Sequence, residues 1–454
     1  MKANQTVKFK NTPSIIGSYS IVGPKEGKGN FGKYFNQVIE NDGFGEKSYE
    51  RAEKKMLETA INGAIEDAKI KPNDVNLLLS GDLLNQIISS SYAARNFNFA
   101  FLGLFGACST MAESMAIGAS LVDGGLFETV CCSTGSHFST AERQFRFPLE
   151  LGNQRPPTSQ WTVTGAGACI ITAHGKGPKI TMATFGKVID FGVNDVNDMG
   201  AVMAPAAMST MLAHFRDTNS TPDDYDLIVT GDLGKLGSEI LVDLMEDEGI
   251  KLGLNYNDCG QMYFTRNQNT LSGGSGCGCS ATVFNSFIMK KLRDGEYRRV
   301  LFMPTGALMS PTASQQGETI PAICHAVVVE SEANHNKAKN FDMKGKTDNK
   351  NVKDSGKTSD KQNAENEKSP TKQNNSNKDK LMQERKTETK HVKASGKSVE
   401  SKILKKENKS LETSPGKGGS DVLKNDAKKN ADEKEIRISQ SKPIQRQTDK
   451  SMKK

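Results

Sequence analysis

Nowhere does the sequence run to the roughly 18 uninterrupted apolar residues that a membrane-crossing helix needs. Its opening stretch, MKANQTVKFKNTPSIIGSYS, has no apolar core of signal-peptide length. Neither a spanning helix nor a secretory leader is expected, and the chain reads as soluble and intracellular. The eight cysteines (108, 131, 132, 169, 259, 277, 279 and 324) include no CxxC pair. A zinc module is therefore not expected and reduced thiols are, with Cys277-Gly-Cys279 as a minor metal-pair alternative. Aromatic side chains all but vanish beyond residue 334, where Phe341 is the only one. That absence excludes a packed core there.

Charge divides at the same place. Residues 335–454 carry 32 Lys and Arg against 18 Asp and Glu, a balance of +14, whereas the upstream 334 residues stand at −7. The whole-chain +7 describes neither part. Rich in Lys, Asn, Ser, Glu and Gly, the distal stretch cannot bury enough surface to offset the entropy of ordering, so it reads as disordered. The upstream part is long enough for a large domain or two intimately packed ones.

What is present upstream is a repeat. Pro72-Asn-Asp-Val-Asn-Leu-Leu-Leu-Ser-Gly-Asp-Leu83 matches Pro222-Asp-Asp-Tyr-Asp-Leu-Ile-Val-Thr-Gly-Asp-Leu233 without a gap, 150 residues apart. A second match pairs Gly106-Ala-Cys108-Ser-Thr with Gly278-Cys279-Ser-Ala-Thr, offset by 171. Each cysteine is followed 15 residues on by Asp-Gly (Asp123, Asp294) and 26 on by Thr-Gly (Thr134, Thr305). We read two copies of one unit, residues 1–174 and 175–334, with an insertion between Gly231 and Cys279 and a Lys-rich tail over 335–454.

Each copy alternates helix and strand, the pattern of a layered α/β fold. Helices are predicted over 49–69, 109–122, 204–216 and 280–293, and strands over 75–80, 101–105, 129–133, 167–173, 227–230, 299–304 and 325–330. The 109–122 helix is small or apolar around almost its whole circumference, so it must be buried on all sides. A buried helix pair covered by sheets on both sides implies five layers, αβαβα.

Several residues could carry chemistry. Cys108 lies between an apolar strand and the start of the buried helix, where free N–H groups and the helix dipole favour a thiolate. It is either a pocket nucleophile or a small space-filling thiol. Asp82 and Asp232 each follow a strand end, where ligands gather in α/β sheets, but either could cap a following turn. Asn85 adds a polar group beside Asp82. The run Leu271-Ser-Gly-Gly-Ser-Gly-Cys-Gly-Cys279 puts Ser275 and Cys279 at the second buried helix, where N–H groups could hold an anion. His137 and His325 are the only plausible bases for Cys108; His174 reads as a loop residue and His214 as an exposed or partner-packed helix residue. Arg143 and Arg146 could bind a carboxylate or pair with Glu142 and Glu150.

Duplicated halves, a cysteine at the mouth of the first buried helix and a Gly-rich turn at the matching helix resemble the thiolase superfamily, which includes the ketoacyl synthases. Within it, residues 80–86, 105–110, 140–146, 198–207, 257–260 and 273–280 resemble a sporulation-specific branch, over about residues 10–332. The resemblance implies a five-layered αβαβα fold and binding of dipicolinic acid (pyridine-2,6-dicarboxylate), with calcium as a companion of the ligand. It further implies assistance to uptake into the developing spore and release in germination, together with membrane channel proteins. The chain would lie on the cytoplasmic side of, or peripheral to, the forespore inner membrane, and the superfamily implies a homodimer.

Catalysis is not expected. A condensing enzyme needs a histidine after the second-half strand or in the Gly-rich turn, and Thr230-Gly-Asp-Leu-Gly234 and Gly274-Ser-Gly-Cys-Gly-Cys279 hold none. Asp82, Asn85, Cys108, His137, Ser275, Cys279 and His325 are then candidate ligand contacts. No resident metal or cofactor is expected, and Asp82 is the candidate calcium contact. The alternative is an acyl-thioester condensing or thiolytic enzyme with Cys108 as nucleophile. The basic tail is either a solvated extension or a tether to anionic lipid; nucleic acid is disfavoured by the absence of stacking residues.

Overall fold

The computed structural model describes residues 4–145 and 154–333. The expectations for the tail, and for Arg146 and Glu150, fall outside the described residues.

The first half contributes β1 (Ser14–Val22), α1 (Tyr49–Asp67), β2 (Leu77–Gly81), α2 (Ile88–Ala94), β3 (Ala100–Gly103), α3 (Thr110–Asp123), β4 (Thr129–Ser136), α4 (Phe138–Phe145) and β5 (Gly165–Thr172). The second contributes β6 (Lys179–Thr184), α5 (Met199–Thr218), β7 (Leu227–Thr230), α6 (Gly234–Asp247), β8 (Tyr256–Asp258), α7 (Cys277–Val283), β9 (Arg299–Met303) and β10 (Ala326–Glu330). Beyond Val283, α7 runs on through a π turn (Phe284–Ile288) to Arg293.

Strand order is β3-β2-β4-β5-β1 in the first half and β8-β7-β9-β10-β6 in the second. Counted within each half, both read 3-2-4-5-1. In both, the fifth strand runs antiparallel to its two neighbours. The halves join where β1 meets β6, at Ser14 opposite Lys179. These two joining strands had no signal in the sequence reading.

Side-chain alternation along the strands builds the layers. On the inner face, Leu77, Leu79, Val130 and Cys132 of one half and Val229, Val300, Phe302 and Val327 of the other pack around α3 and α7 in one shared core. The outer faces are separate. Leu78, Cys131 and Ile170 meet α1, while Ile228, Leu301 and Val328 meet the α5–α6 layer. The five αβαβα layers implied by the resemblance follow directly, with α3 and α7 in the middle.

Close approach there depends on glycine. A Cβ at Gly278 of α7 would lie 2.5 Å from the Gly165 carbonyl oxygen and 2.9 Å from Ser136 Oγ.

Some boundaries differ from expectation. Helix α5 begins at Met199 rather than 204, because Asp198 caps it and Pro205 is tolerated inside. His214, expected at an exposed or partner face, is buried: Thr184 Oγ1 lies 2.7 Å from Nδ1 and the Tyr225 hydroxyl 2.6 Å from Nε2. Burial lowers its pKa to about 4.

Just beyond β1, Glu26 is buried with Oε1 accepting the Thr164 N–H at 3.1 Å, and desolvation raises its pKa to about 7. An unfolded Glu26 ionises near its ordinary value while the folded one stays neutral until about 7. Stability from this group is therefore full at low pH and declines as pH rises towards 7. Glu26→Gln should melt above wild type at pH 8, by about 1–3 kcal/mol, with the gain shrinking at pH 4.5; thermal melts across that range check the sign. Gly278→Ala should cost about 1–3 kcal/mol through overpacking, measured by denaturant unfolding.

Candidate functional site

An open cleft lies at the point where the two central helices begin. Its walls are largely apolar: Leu83, Phe105, Ala141 and Phe145 from the first half, and Met199, Met203, Ala307 and Met309 from the second. Cys108, Gln160, Thr162 and Ser275 supply polar atoms, and among the described residues no lining side chain carries a formal charge. Of the seven residues predicted from sequence, the cleft brings together two, Cys108 and Ser275.

Cys108 sits in a 3-10 turn, Ala107–Ser109, between β3 and α3. The turn is held in a conformation that costs energy, since Ala107 has φ of +47° despite carrying a Cβ. Several bonds fix it. Thr110 Oγ1 donates to the Ala107 carbonyl at 2.6 Å and accepts the Gly106 N–H at 3.2 Å. From the other half, the Cys277 thiol donates to that same Ala107 carbonyl at 3.0 Å, and a Cβ on Gly306 would come within 2.1 Å of the Gly106 oxygen. The Cys108 turn is thus clamped by residues of the second copy.

Cys279 is a correction. The repeat aligned it with Cys108, yet the Cys279 N–H closes on Gly276 O at 2.9 Å as the Ser109 N–H closes on Gly106 O, so Cys279 corresponds to Ser109. Its thiol is buried against Gly231 O at 3.3 Å, away from the cleft. Cys277, read from sequence only as half of a minor metal pair, is the thiol that packs beside Cys108. The N–H groups expected to serve an anion are also partly committed. Gly278 N–H donates to Ser136 Oγ at 2.9 Å.

Asp82 turns out to be a cap. Oδ1 accepts the Leu84 N–H at 2.9 Å and Oδ2 the Ser90 N–H at 2.7 Å, tying the end of β2 to α2 behind the Leu83 wall. Asn85 is exposed, its N–H donating to Gln144. Asp232, expected to cap, does not. That task falls to Asp258, whose carboxylate accepts from Leu233 N, Gly234 N, Gln261 N and Thr230 Oγ1. Both Asp232 carboxylate oxygens are buried without a hydrogen-bond partner among the described residues. Burial, reinforced by Asp258, raises its pKa well above the usual carboxylate range.

Neither histidine lines the cleft. His137 is locked, Nδ1 accepting the Ser139 N–H at 3.1 Å and Nε2 2.9 Å from the Asp42 carbonyl, so Nε2 carries the hydrogen. His325 Nδ1 accepts the Gly186 N–H at 3.2 Å, and burial lowers its pKa to about 4. Its own N–H donates to Ser109 Oγ at 2.9 Å, which fixes the residue next to Cys108 rather than the thiol. Arg143 pairs with Glu50, and Glu142 with Arg155 at 3.1 Å, so neither arginine reaches the cleft as a bare cation. Gln160 and the methionines carried no motif that could have marked them.

A family model described as Stage V sporulation protein AD (SpoVAD) matches residues 3–330. The chain belongs to that family. Its relative in Bacillus subtilis (strain 168), the Stage V sporulation protein AD, is 46% identical over 330 residues, covering 73% of this chain and 98% of the relative. Among solved structures, cerulenin-bound OleA of Xanthomonas campestris is 14% identical with a TM-score of 0.47, covering 73% of this chain and all of that one. The 3-oxoacyl-[acyl-carrier-protein] synthase III of Aquifex aeolicus is 13% identical with a TM-score of 0.43, covering 70% of this chain and 99% of that one. Membership gives this chain a role in sporulation.

Cys108 is half-buried while the other seven cysteines are buried, and burial raises the Cys277 and Cys279 thiols well above their ordinary range. Brief iodoacetamide treatment of native protein should alkylate Cys108 first, with peptide mapping as the readout. Rapid labelling that survives Cys108→Ser would contradict this accessibility order.

Proposed function

We propose that the cleft above Cys108 binds dipicolinic acid, as its calcium complex, and that the chain serves as a non-catalytic binding component of the sporulation system. The observation that carries this reading is the make-up of the cleft. It has apolar walls, a thiol at the base, a few polar atoms and no histidine or charged side chain among its described lining residues. A flat heteroaromatic ring suits the methionine and phenylalanine walls, and a charge-neutral chelate suits a cleft without side-chain cations better than a bare dianion does. Calcium is here part of the cargo.

The enzyme alternative needs a base for the thiol and donors for an oxyanion. Across Thr230–Gly234, after the second-half strand where the resemblance expects a histidine, this chain has none and carries the buried Asp232, while His137 and His325 are engaged in hydrogen bonds outside the cleft lining. These features support binding over turnover. No helix among the described residues is long and apolar enough to cross a membrane, so movement of the ligand across the forespore membrane requires channel proteins, and we assign this chain to the peripheral, ligand-holding role beside them.

Calorimetric titration of the full-length chain with calcium dipicolinate tests the reading. Saturable binding is expected, weakened at least tenfold by Ala307→Trp, which fills the cleft, and reduced by Cys108→Ala. Acyl transfer to Cys108 with turnover of a thioester, in the absence of dipicolinate binding, would instead establish the enzyme.

A further inference from the structure

Among the residues that line the cleft, one has a buried polar atom without a hydrogen-bond partner among the described residues. Gln160, immediately before the short strand Trp161–Thr162, lines the cleft and is 1% exposed. Its amide orientation follows from chemistry. Nε2 lies 2.6 Å from the Asp232 carbonyl oxygen, which can only accept, so the amino end faces Asp232 and Oε1 is the other end. The residue cannot readily shift. Arg155 Nη2 donates to its main-chain carbonyl at 2.5 Å, Trp161 N–H donates to Gly273 O at 2.7 Å, and a Cβ at Gly234 would already sit 2.9 Å from Nε2. Oε1 is buried and has no hydrogen-bond partner among the described residues.

A buried acceptor without a donor is unfavourable, and a ligand that supplies the donor recovers the loss. A ligand with only acceptors at that wall meets repulsion instead. We propose that Gln160 is a specificity-determining residue of the cleft, its Oε1 selecting ligands that present a hydrogen-bond donor or a metal cation there. The inference rests on the dipicolinate reading and sharpens it. The calcium chelate qualifies through its cation and coordinated water; the singly protonated acid qualifies through its carboxyl O–H. The metal-free dianion offers acceptors only, and finds no charged side chain among the described lining residues to balance it.

The test is titration of full-length protein with dipicolinate under three conditions: pH 8 with a calcium chelator, pH 8 with equimolar calcium, and pH 5 with the chelator. Wild type should prefer the calcium complex over the dianion at pH 8 by at least tenfold. Gln160→Met, which keeps the length of the side chain and removes the acceptor, should bring the two within about twofold while its melting temperature shows it folded. Gln160→Lys, which supplies a donor, should invert the preference in favour of the dianion. Tight metal-free binding at pH 5 identifies the carboxyl proton as the donor; tight binding only with calcium identifies the metal. Equal affinity of wild type for chelate and dianion, or a preference that persists in Gln160→Met, overturns the role of Gln160 and leaves the cleft reading standing. No binding under any condition overturns both.

Discussion

Two helices with almost no polar surface, α3 and α7, meet at the centre of the molecule, and their need to be covered on every side governs the rest. Covering them takes two sheets, and each sheet then exposes an outer apolar face that demands its own helices. The repeat in sequence is the repeat of this requirement. Where α7 comes closest to the end of β5, only hydrogen fits at Gly278, so backbone rather than side chain sets the distance between layers. The cleft is the gap left where the two helices begin. It exists because a helix start must be entered by a loop, and here two loops converge.

Much of this could be read in advance. Periodicity marked α1 and α3, the twelve-residue match marked the duplication, and the position of Cys108 between a strand and a buried helix marked the cleft. The strands that join the halves escaped notice for a physical reason. β1 is rich in serine and contains Gly17, a loop-like composition, yet the serines are buried with partners: Ser20 Oγ donates to Asn36 Oδ1 and Ser14 Oγ to the Gly175 carbonyl. Polar composition misleads when every polar atom is satisfied.

At the site, sequence identified residue types better than it assigned their tasks. Asp82 and Asp232 occupy matching places, and strand-end logic treats them alike. What separates them is the register of nearby N–H groups, which reach Asp82 but in the second half are taken by Asp258, the last residue of β8. The Cys279 assignment failed by one residue of alignment, enough to move a side chain from cleft to core. Gln160 lay beyond reach altogether. A lone glutamine before a short strand has no signature until the Asp232 carbonyl fixes which way its amide points.

Cys108 enters the cleft from the first copy, and Ser275 and Gly276 enter it from the second, each close to the start of its own central helix. A tandem duplication would ordinarily be expected to double the number of sites. Here the two copies converge on one, so each chain should hold a single ligand, flanked by unlike residues on either side. Neither copy could serve as a binding protein by itself.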